Sequence, residues 1–246
     1  MPGKKQLRVA ALGDLHVTER AQGAYQQLFT DISHTADVLL LCGDLTDHGL
    51  PSEAQVLRQE LEHCTIPKAA VLGNHDCDRG LDEEIQKILR DGNLVFLEEE
   101  NIVLENIGFT GVKGFAGGFG KYMLGSFGED GIKNFVAEAI SEAEQLEVNL
   151  GEIEHTAQQI VIMHYSPIME TLKGESTEIF PFLGSSRFEE VINRFEVCAV
   201  FHGHAHYGHP EGKTSKGIPV FNAAYPLMQK TFRDKPYRLY TIPLSQ

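Results

Sequence analysis

Five segments of the chain place polar side chains directly after a run of apolar residues. These side chains are carboxylates, an amide and imidazoles, and they are Asp14, His16, Asp44, Asn74, His75, His164, His204 and His206. None is a cysteine thiolate, so the set favours Mn, Fe or Zn in a reactive site over a structural zinc site. The donors outnumber the ligands of a single ion with an open position, which predicts a pair of metal ions.

Asp44 has the central position in this pattern. The run Val38–Cys42 is typical of a strand buried on both faces, and Gly43 allows the sharp turn that makes Asp44 the first side chain beyond it. Ligands of open α/β sheets bind beyond the carboxyl ends of the strands. Because this strand is expected between those that end at Asp14 and at Asn74, Asp44 is predicted to bridge both ions.

The motifs together resemble those of a known family. They are Gly-Asp-Leu-His (13–16), Gly-Asp-Leu-Thr-Asp (43–47), Gly-Asn-His-Asp (73–76), His164 and Gly-His-Ala-His (203–206). This combination resembles the five signature motifs of the calcineurin-like metallophosphoesterases. The motif with the pair His204 and His206 resembles that of the small bacterial phosphodiesterase branch of the family, which includes cyclic-nucleotide phosphodiesterases. The resemblance spans residues 13–206.

The resemblance implies a four-layer α/β/β/α sandwich, in which two mixed β-sheets are flanked by helices and the metal ions lie at the strand ends. The ligands of one ion would be Asp14, His16, Asp44 and His206, and those of the other Asp44, Asn74, His164 and His204. A metal-bridging hydroxide would attack the phosphorus. His75 would contact the phosphoryl group, and Asp47 would orient His75.

A metal-dependent phosphoesterase acting on a small phosphorylated substrate, a monoester or a diester, is the function that follows from this pattern. A nucleotide or sugar-diphosphate pyrophosphatase, a nuclease and a non-catalytic protein-binding scaffold of the same fold remain alternatives. His48 stands where serine/threonine phosphatases of the family carry arginine, which disfavours a protein phosphatase. Arg79, Arg187 and Lys121 are candidate contacts to an anionic leaving group.

The predicted elements begin with a β-α-β-α-β unit and form one domain over residues 1–246. Helices are expected at 20–34, 52–63, 81–91, 131–148 and 185–195, and a meander of short strands over 94–113. Residues 114–130 are rich in glycine and aromatic side chains, fit neither helical nor strand periodicity, and are predicted to be a long loop beside the site.

The composition is that of a globular protein, with 42% hydrophobic and 23% charged residues. The formal net charge of −14 disfavours binding to nucleic acid and to anionic membranes. No stretch of apolar residues is long enough to suggest a membrane span, and the four cysteines show no short disulfide framework. A cytoplasmic location is therefore expected, and the oligomeric state is left open.

Overall fold

A computed structural model of the chain describes residues 4–244 and contains two mixed β-sheets. The first sheet has five strands in the order β11-β1-β2-β3-β4, and only β11 runs antiparallel to its neighbour. Their bounds are β1 Gln6–Leu12, β2 Val38–Cys42, β3 Lys68–Val71, β4 Val95–Phe96 and β11 Arg238–Pro243. The carboxyl ends of β1, β2 and β3 therefore lie side by side.

The second sheet has six strands in the order β5-β6-β7-β8-β10-β9. Its four central strands are parallel, and an antiparallel strand closes each edge. The bounds are β5 Ile102–Leu104, β6 Ile107–Val112, β7 Gln158–Met163, β8 Val197–His202, β9 Glu211–Lys213 and β10 Pro219–Asn222. The carboxyl ends of β7 and β8 lie at the same end of the molecule as those of β1 and β2. A contact between His164, directly after β7, and the carbonyl of Cys42, the last residue of β2, shows this.

Helices cover the outer face of each sheet. They are α1 Gln26–Thr35, α2 Pro51–Leu61, α3 Asp82–Arg90, α4 Asp130–Glu152, α5 Phe180–Leu183, α6 Ser186–Ile192 and α7 Tyr225–Thr231, with short 3₁₀ helices at Gly120–Tyr122, Glu170–Leu172 and Thr177–Ile179.

The apolar side chains of β2 show how the layers are assembled. Leu39 and Leu41 pack with the buried faces of α1, α2 and α3, whereas Val38 and Leu40 point to the other side and pack with Phe109 and neighbouring side chains of the second sheet. A third core lies between the second sheet and helices α4 and α6. The layers therefore follow the order helix, sheet, sheet, helix, and the predicted α/β/β/α sandwich is confirmed.

The first helix is shorter than its sequence pattern predicts. It begins at Gln26 instead of residue 20, because the main-chain N–H groups of Gly23 and Tyr25 donate to the buried carboxylate of Glu60 at 2.6 and 2.8 Å. These bonds hold the preceding residues in a turn. A long-range contact of this kind is not visible in local periodicity.

The region predicted to be a meander is divided between the two sheets. Strand β4 joins the first sheet, whereas β5 and β6 begin the second. The glycine-rich segment after β6 is a loop that ends where α4 starts at Asp130. It is tied to the rest of the fold by a bridge between Gly118 and Ser185 and by the Gly120 N–H, which donates to Ser186 Oγ at 2.8 Å.

None of the helices within residues 4–244 combines the length and the apolar character needed to cross a bilayer.

Candidate metal centre

Three of the predicted ligands form a partly exposed cluster, which we call the outer group: Asp14, His16 and His206. His206 Nε2 lies 2.9 Å from Asp14 Oδ1 and 3.4 Å from His16 Nε2. Asp14 and His16 follow β1, and His206 follows β8, so the group joins one strand end from each sheet. The Asp14 carboxylate is fixed from behind by the main-chain N–H of His204 at 2.9 Å.

Three further ligands form the inner group, which consists of Asn74, His164 and His204. His164 Nε2 lies 2.9 Å from Asn74 Oδ1 and 3.1 Å from His204 Nδ1. The other ring nitrogen of His164 donates to the carbonyl of Cys42 at 2.9 Å, and His204 Nε2 donates to the carbonyl of Phe182 at 3.3 Å. These two bonds set the tautomers, so that the remaining nitrogen of each ring points into the group.

Asp44 lies between the two groups. Its Oδ1 is 3.4 Å from His164 Nε2, and its Oδ2 is 3.7 Å from His16 Nε2. The main-chain N–H of His75 donates to Oδ1 at 2.9 Å and fixes the orientation of the carboxylate. The two oxygens of one buried side chain thus face two separate clusters of nitrogen and oxygen atoms.

The donor atoms fit metal ions. His164 Nε2 faces Asn74 Oδ1, Asp44 Oδ1 and His204 Nδ1, three acceptors that a metal ion, or in its absence a proton on His164, would satisfy. Two ligands at right angles, each about 2.1 Å from one ion, are about 3 Å apart, which is close to the separations found here. Three groups of this kind occur within residues 4–244, and they are Asp14 with His16 and His206, His16 with Asp44 and His75, and Asp44 with His164 and His204.

The backbone at the site adopts conformations that are rare outside glycine. Asp14, His16, Asp44 and His204 all have positive φ, between 44° and 69°. Gly43 has φ +79°, and a side-chain carbon there would lie 2.6 Å from the ring of His164. The chain turns sharply at these points, which brings side chains from consecutive strand ends to a common place.

Asp76 fastens the two central loops to each other. Its fully buried carboxylate accepts from the N–H groups of Leu45, Thr46 and Gly73 at 3.1, 2.8 and 2.8 Å and from the Thr46 hydroxyl at 2.7 Å. Burial raises the pKa of Asp76 to about 6, and the charge of Asp44 acts in the same direction. Sequence analysis assigned Asp76 no role, although its place within Asn74-His75-Asp76 was a signal that the site needs it.

His75 lies at the edge of the site next to the outer group. Its ring meets the ring of His16 edge-on with the centroids 4.5 Å apart, and its Nδ1 donates to the main-chain carbonyl of Asp47 at 2.7 Å. The Asp47 carboxylate points elsewhere, to His16 Nδ1 at 3.1 Å and His48 Nδ1 at 3.2 Å. The contact by which Asp47 orients His75 is therefore made by the main chain.

The two groups differ in their electrostatics. Burial alone would lower the pKa of His164, but the charge of Asp44 outweighs it and raises the pKa to about 9. His164 in turn holds the pKa of Asp44 well below its usual range, although burial opposes this. Burial lowers the pKa of His204 to about 4, with the nearby His164 adding to the effect, whereas the hydrogen bond to Asp14 raises the pKa of His206. In the absence of metal, a proton on His164 balances the buried carboxylate.

The remaining candidates lie apart from both groups. Arg187 donates to the carbonyl of Leu124 at 2.9 Å and supports the long loop, and Lys121 lies over the ring of Tyr122. A further histidine, His202, directly precedes the last motif; it is fully buried, and its ring contacts the Thr171 hydroxyl at 2.8 Å. Arg79 borders a cavity beside the site, together with His48.

Comparison with known proteins agrees with this geometry. A protein of Synechococcus named as a probable cyclic nucleotide phosphodiesterase is 33% identical over an alignment of 87 residues. The match covers 31% of this chain and only 34% of that protein's length.

The fold is shared by a number of solved structures. Phosphopantetheinyl hydrolase from Mycobacterium tuberculosis has a TM-score of 0.68 at 12% identity, covering 94% of this chain and 95% of that one. The purple acid phosphatase of yellow lupin has a TM-score of 0.55 at 16% identity, covering 84% and 39%. The sequence model of the calcineurin-like phosphoesterases matches residues 7–208. The chain therefore belongs to the calcineurin-like phosphoesterase family.

Proposed function

We propose that this protein hydrolyses a small phosphomonoester or phosphodiester with the help of two bound metal ions. The observation that carries the proposal is the position of Asp44, whose two carboxylate oxygens lie 3.4 Å from His164 Nε2 and 3.7 Å from His16 Nε2. A single carboxylate between two ligand clusters suits a pair of ions about 3.5–4 Å apart, the arrangement that many phosphatases and nucleases use.

Each ion would have four protein ligands. Asp14, His16, Asp44 and His206 would hold the first, and Asp44, Asn74, His164 and His204 the second. Nitrogen and oxygen donors of this kind suit Mn, Fe or Zn. When bound, the two ions would lower the pKa of a shared water and withdraw charge from the phosphoryl oxygens.

His75 supplies the acid or the charge stabilisation in this scheme. Because its Nδ1 donates to the Asp47 carbonyl, Nε2 is the nitrogen left for the substrate. In its protonated form His75 donates from Nε2 to a phosphoryl oxygen or to the leaving oxygen, where charge develops during the reaction. The main-chain contact keeps the ring in this orientation without using the Asp47 carboxylate.

The net charge of −14 supports a small substrate over a polynucleotide, since a long polyanion would be repelled. The diester option is supported by the relative named as a probable cyclic nucleotide phosphodiesterase, although the matched segment is only 87 residues long. The monoester option is kept, because the ligand set alone does not distinguish the two ester classes.

The test combines metal analysis with turnover. The Mn-loaded chain should contain about two ions per chain and cleave 4-nitrophenyl phosphate or bis(4-nitrophenyl) phosphate. Asp44→Ala removes the shared ligand, so we expect loss of bound metal and a fall in kcat/KM that exceeds the roughly 100-fold cost of losing a supporting contact behind the ligands. His75→Ala should keep its metal and lose roughly 10²–10³ in kcat.

Two variants serve as controls. His209→Ala removes an exposed histidine outside both groups, and both its metal content and its activity should equal those of the native chain. Asp47→Asn keeps the main-chain carbonyl that holds His75, so it should lower kcat far less than His75→Ala does. A native chain that binds no stoichiometric metal and cleaves neither ester would contradict the proposal and favour the scaffold.

A further inference from the structure

A cavity of about 510 Å³ lies beside the candidate metal centre, within the size range of small-ligand sites. Its lining comes from the loops that follow β1, β2 and β3 and from the first turn of α2. It consists of Thr18, Glu19, Arg20, His48, Leu50, Glu53 and Arg79. The same three loops carry His16, Asp44 and His75. A molecule with its phosphoryl group at the metal centre can therefore extend into this cavity.

Asp47 separates the cavity from the reacting groups. One carboxylate oxygen lies 3.1 Å from His16 Nδ1 and the other 3.2 Å from His48 Nδ1, while the main-chain carbonyl accepts from His75. His48 is a wall of the cavity, and His16 and His75 belong to the site. A single residue, Asp47, thus contacts both the wall of the cavity and two histidines of the candidate site.

The arginines of the cavity differ from most others in the chain. Four arginines each pair with a carboxylate at 2.7–3.0 Å, and they are Arg8, Arg90, Arg194 and Arg238. Arg79 has only Asp78 at 3.9 Å, and both side chains are more than half exposed. No carboxylate of residues 4–244 pairs with Arg20. Both guanidinium groups are therefore available to a ligand, in a chain whose net charge is −14.

The acidic residues of the cavity offer little competition. The Glu53 carboxylate is buried and engaged, since it accepts from the N–H of His48 at 2.8 Å and contacts its ring nitrogen Nδ1 at 2.9 Å. Of the residues that line the cavity, only Glu19 adds a further carboxylate, and the exposed Asp78 carboxylate lies 3.9 Å from Arg79.

We propose that Arg20 and Arg79 bind a second anionic group of the substrate, a carboxylate or a phosphate separate from the ester that is cleaved. This inference rests on the proposed function and names its substrate class as a phosphoester with an additional negative charge on one side. Guanidinium groups are suited to such a group, because they pair with carboxylate and phosphate oxygens through two parallel hydrogen bonds.

The experiment compares diesters that release the same 4-nitrophenolate. They are bis(4-nitrophenyl) phosphate, 4-carboxyphenyl 4-nitrophenyl phosphate and the matching 4-phosphonophenyl diester. The native Mn-loaded chain should cleave a diester that carries the additional carboxylate or phosphonate with a kcat/KM about tenfold higher than that for bis(4-nitrophenyl) phosphate. This factor is the equivalent of one charge-assisted hydrogen bond. Arg20→Gln/Arg79→Gln should lose this preference. The additional group that gives the higher kcat/KM identifies whether the two arginines bind a carboxylate or a phosphate.

Arg194→Gln is the matched control, since it removes an exposed arginine on another face and should keep the native preference. Equal preference in the native chain and in the double variant would overturn the inference. If the native chain cleaves no diester, binding decides the subsite on its own, and the proposed function fails only if 4-nitrophenyl phosphate is not cleaved either. Titration with 4-hydroxybenzoate should then shift the Nε–Hε NMR signals of Arg20 and Arg79, and unchanged signals would overturn it.

Discussion

The two ligand groups on either side of Asp44 are built differently. In the inner group the His164 side chain is fully buried, whereas in the outer group the His206 side chain is 31% exposed. His164 is fixed by the carbonyl of Cys42. Asn74 and His204 are partly exposed and Asp14 is buried, so the contrast lies in these two histidines: one is enclosed in the fold and the other lies at its surface.

The support behind the inner group extends well beyond its ligands. Asp76 joins the loop of Asp44 to the loop of Asn74, and Glu98 Oε1 accepts from the N–H of Leu72 at 2.6 Å, just before Asn74 in the chain. We therefore expect an ion in the inner group to exchange slowly and an ion in the outer group to exchange quickly. Three predictions follow, ordered by the size of the effect.

Removal of the Asp76 carboxylate should produce the largest change. Asp76→Ala leaves the N–H groups of Leu45, Thr46 and Gly73 without their partner, and each unsatisfied buried group costs about 1–3 kcal/mol. We expect a loss of about 3–5 kcal/mol in the free energy of unfolding, measured by urea denaturation of the metal-free chain. Asp76→Asn keeps an acceptor and should lose less. Equal losses in both variants would contradict this reading of the inner group.

The second prediction separates the two groups by their histidines. His164→Ala empties a fully buried position and leaves the Cys42 carbonyl without its donor, so we expect a loss of about 2–4 kcal/mol in the metal-free chain. His206→Ala should lose less than about 1 kcal/mol, because its side chain is partly exposed. His206→Ala should also retain about one ion per chain after dialysis. Similar losses of stability in the two variants would remove the distinction.

The smallest effect concerns pH. Burial raises the pKa of Glu98 to about 8 from its ordinary 4.5, and its Oε2 is buried without a hydrogen-bond partner in the described part of the chain. Between these two pH values the folded chain keeps a proton that the unfolded chain has released, so the stability falls as the pH rises. Glu98→Gln should flatten this fall between pH 5 and pH 8, by at most the roughly 1.4 kcal/mol per pH unit that one proton contributes. Parallel profiles of the free energy of unfolding against pH for the native chain and for Glu98→Gln would disprove the prediction.

Much of the fold was predictable from the sequence, because each central strand is a short apolar run that ends in glycine or a polar ligand. The run Val38–Cys42 gave β2 with its exact bounds, and Gly43 was predicted to be the turn. The predicted start of α1 was wrong by six residues, because the N–H groups of Gly23 and Tyr25 donate to Glu60, which lies in α2. Contacts between residues far apart in the chain leave no local pattern.

The same limit applies to the site. The donor types and their positions after strands predicted which side chains come together. The direction of each side chain was not predictable, because it depends on tertiary contacts. Asp47 illustrates this, as its carbonyl and not its carboxylate contacts His75. The support given by Asp76 and Glu98 was also missed, since a buried acid in a turn resembles any other turn residue in sequence.

The left-handed backbone at Asp14, His16, Asp44 and His204 has a consequence for protein engineering. Glycine adopts that conformation freely, so replacing one of these residues with glycine relieves torsional strain while it deletes a donor atom. At Asp14 and Asp44 that relief is opposed, because the lost carboxylate leaves the N–H groups of His204 and His75 without their acceptors. Of the four positions, His16 and His204 are therefore those at which glycine is expected to cost the least stability.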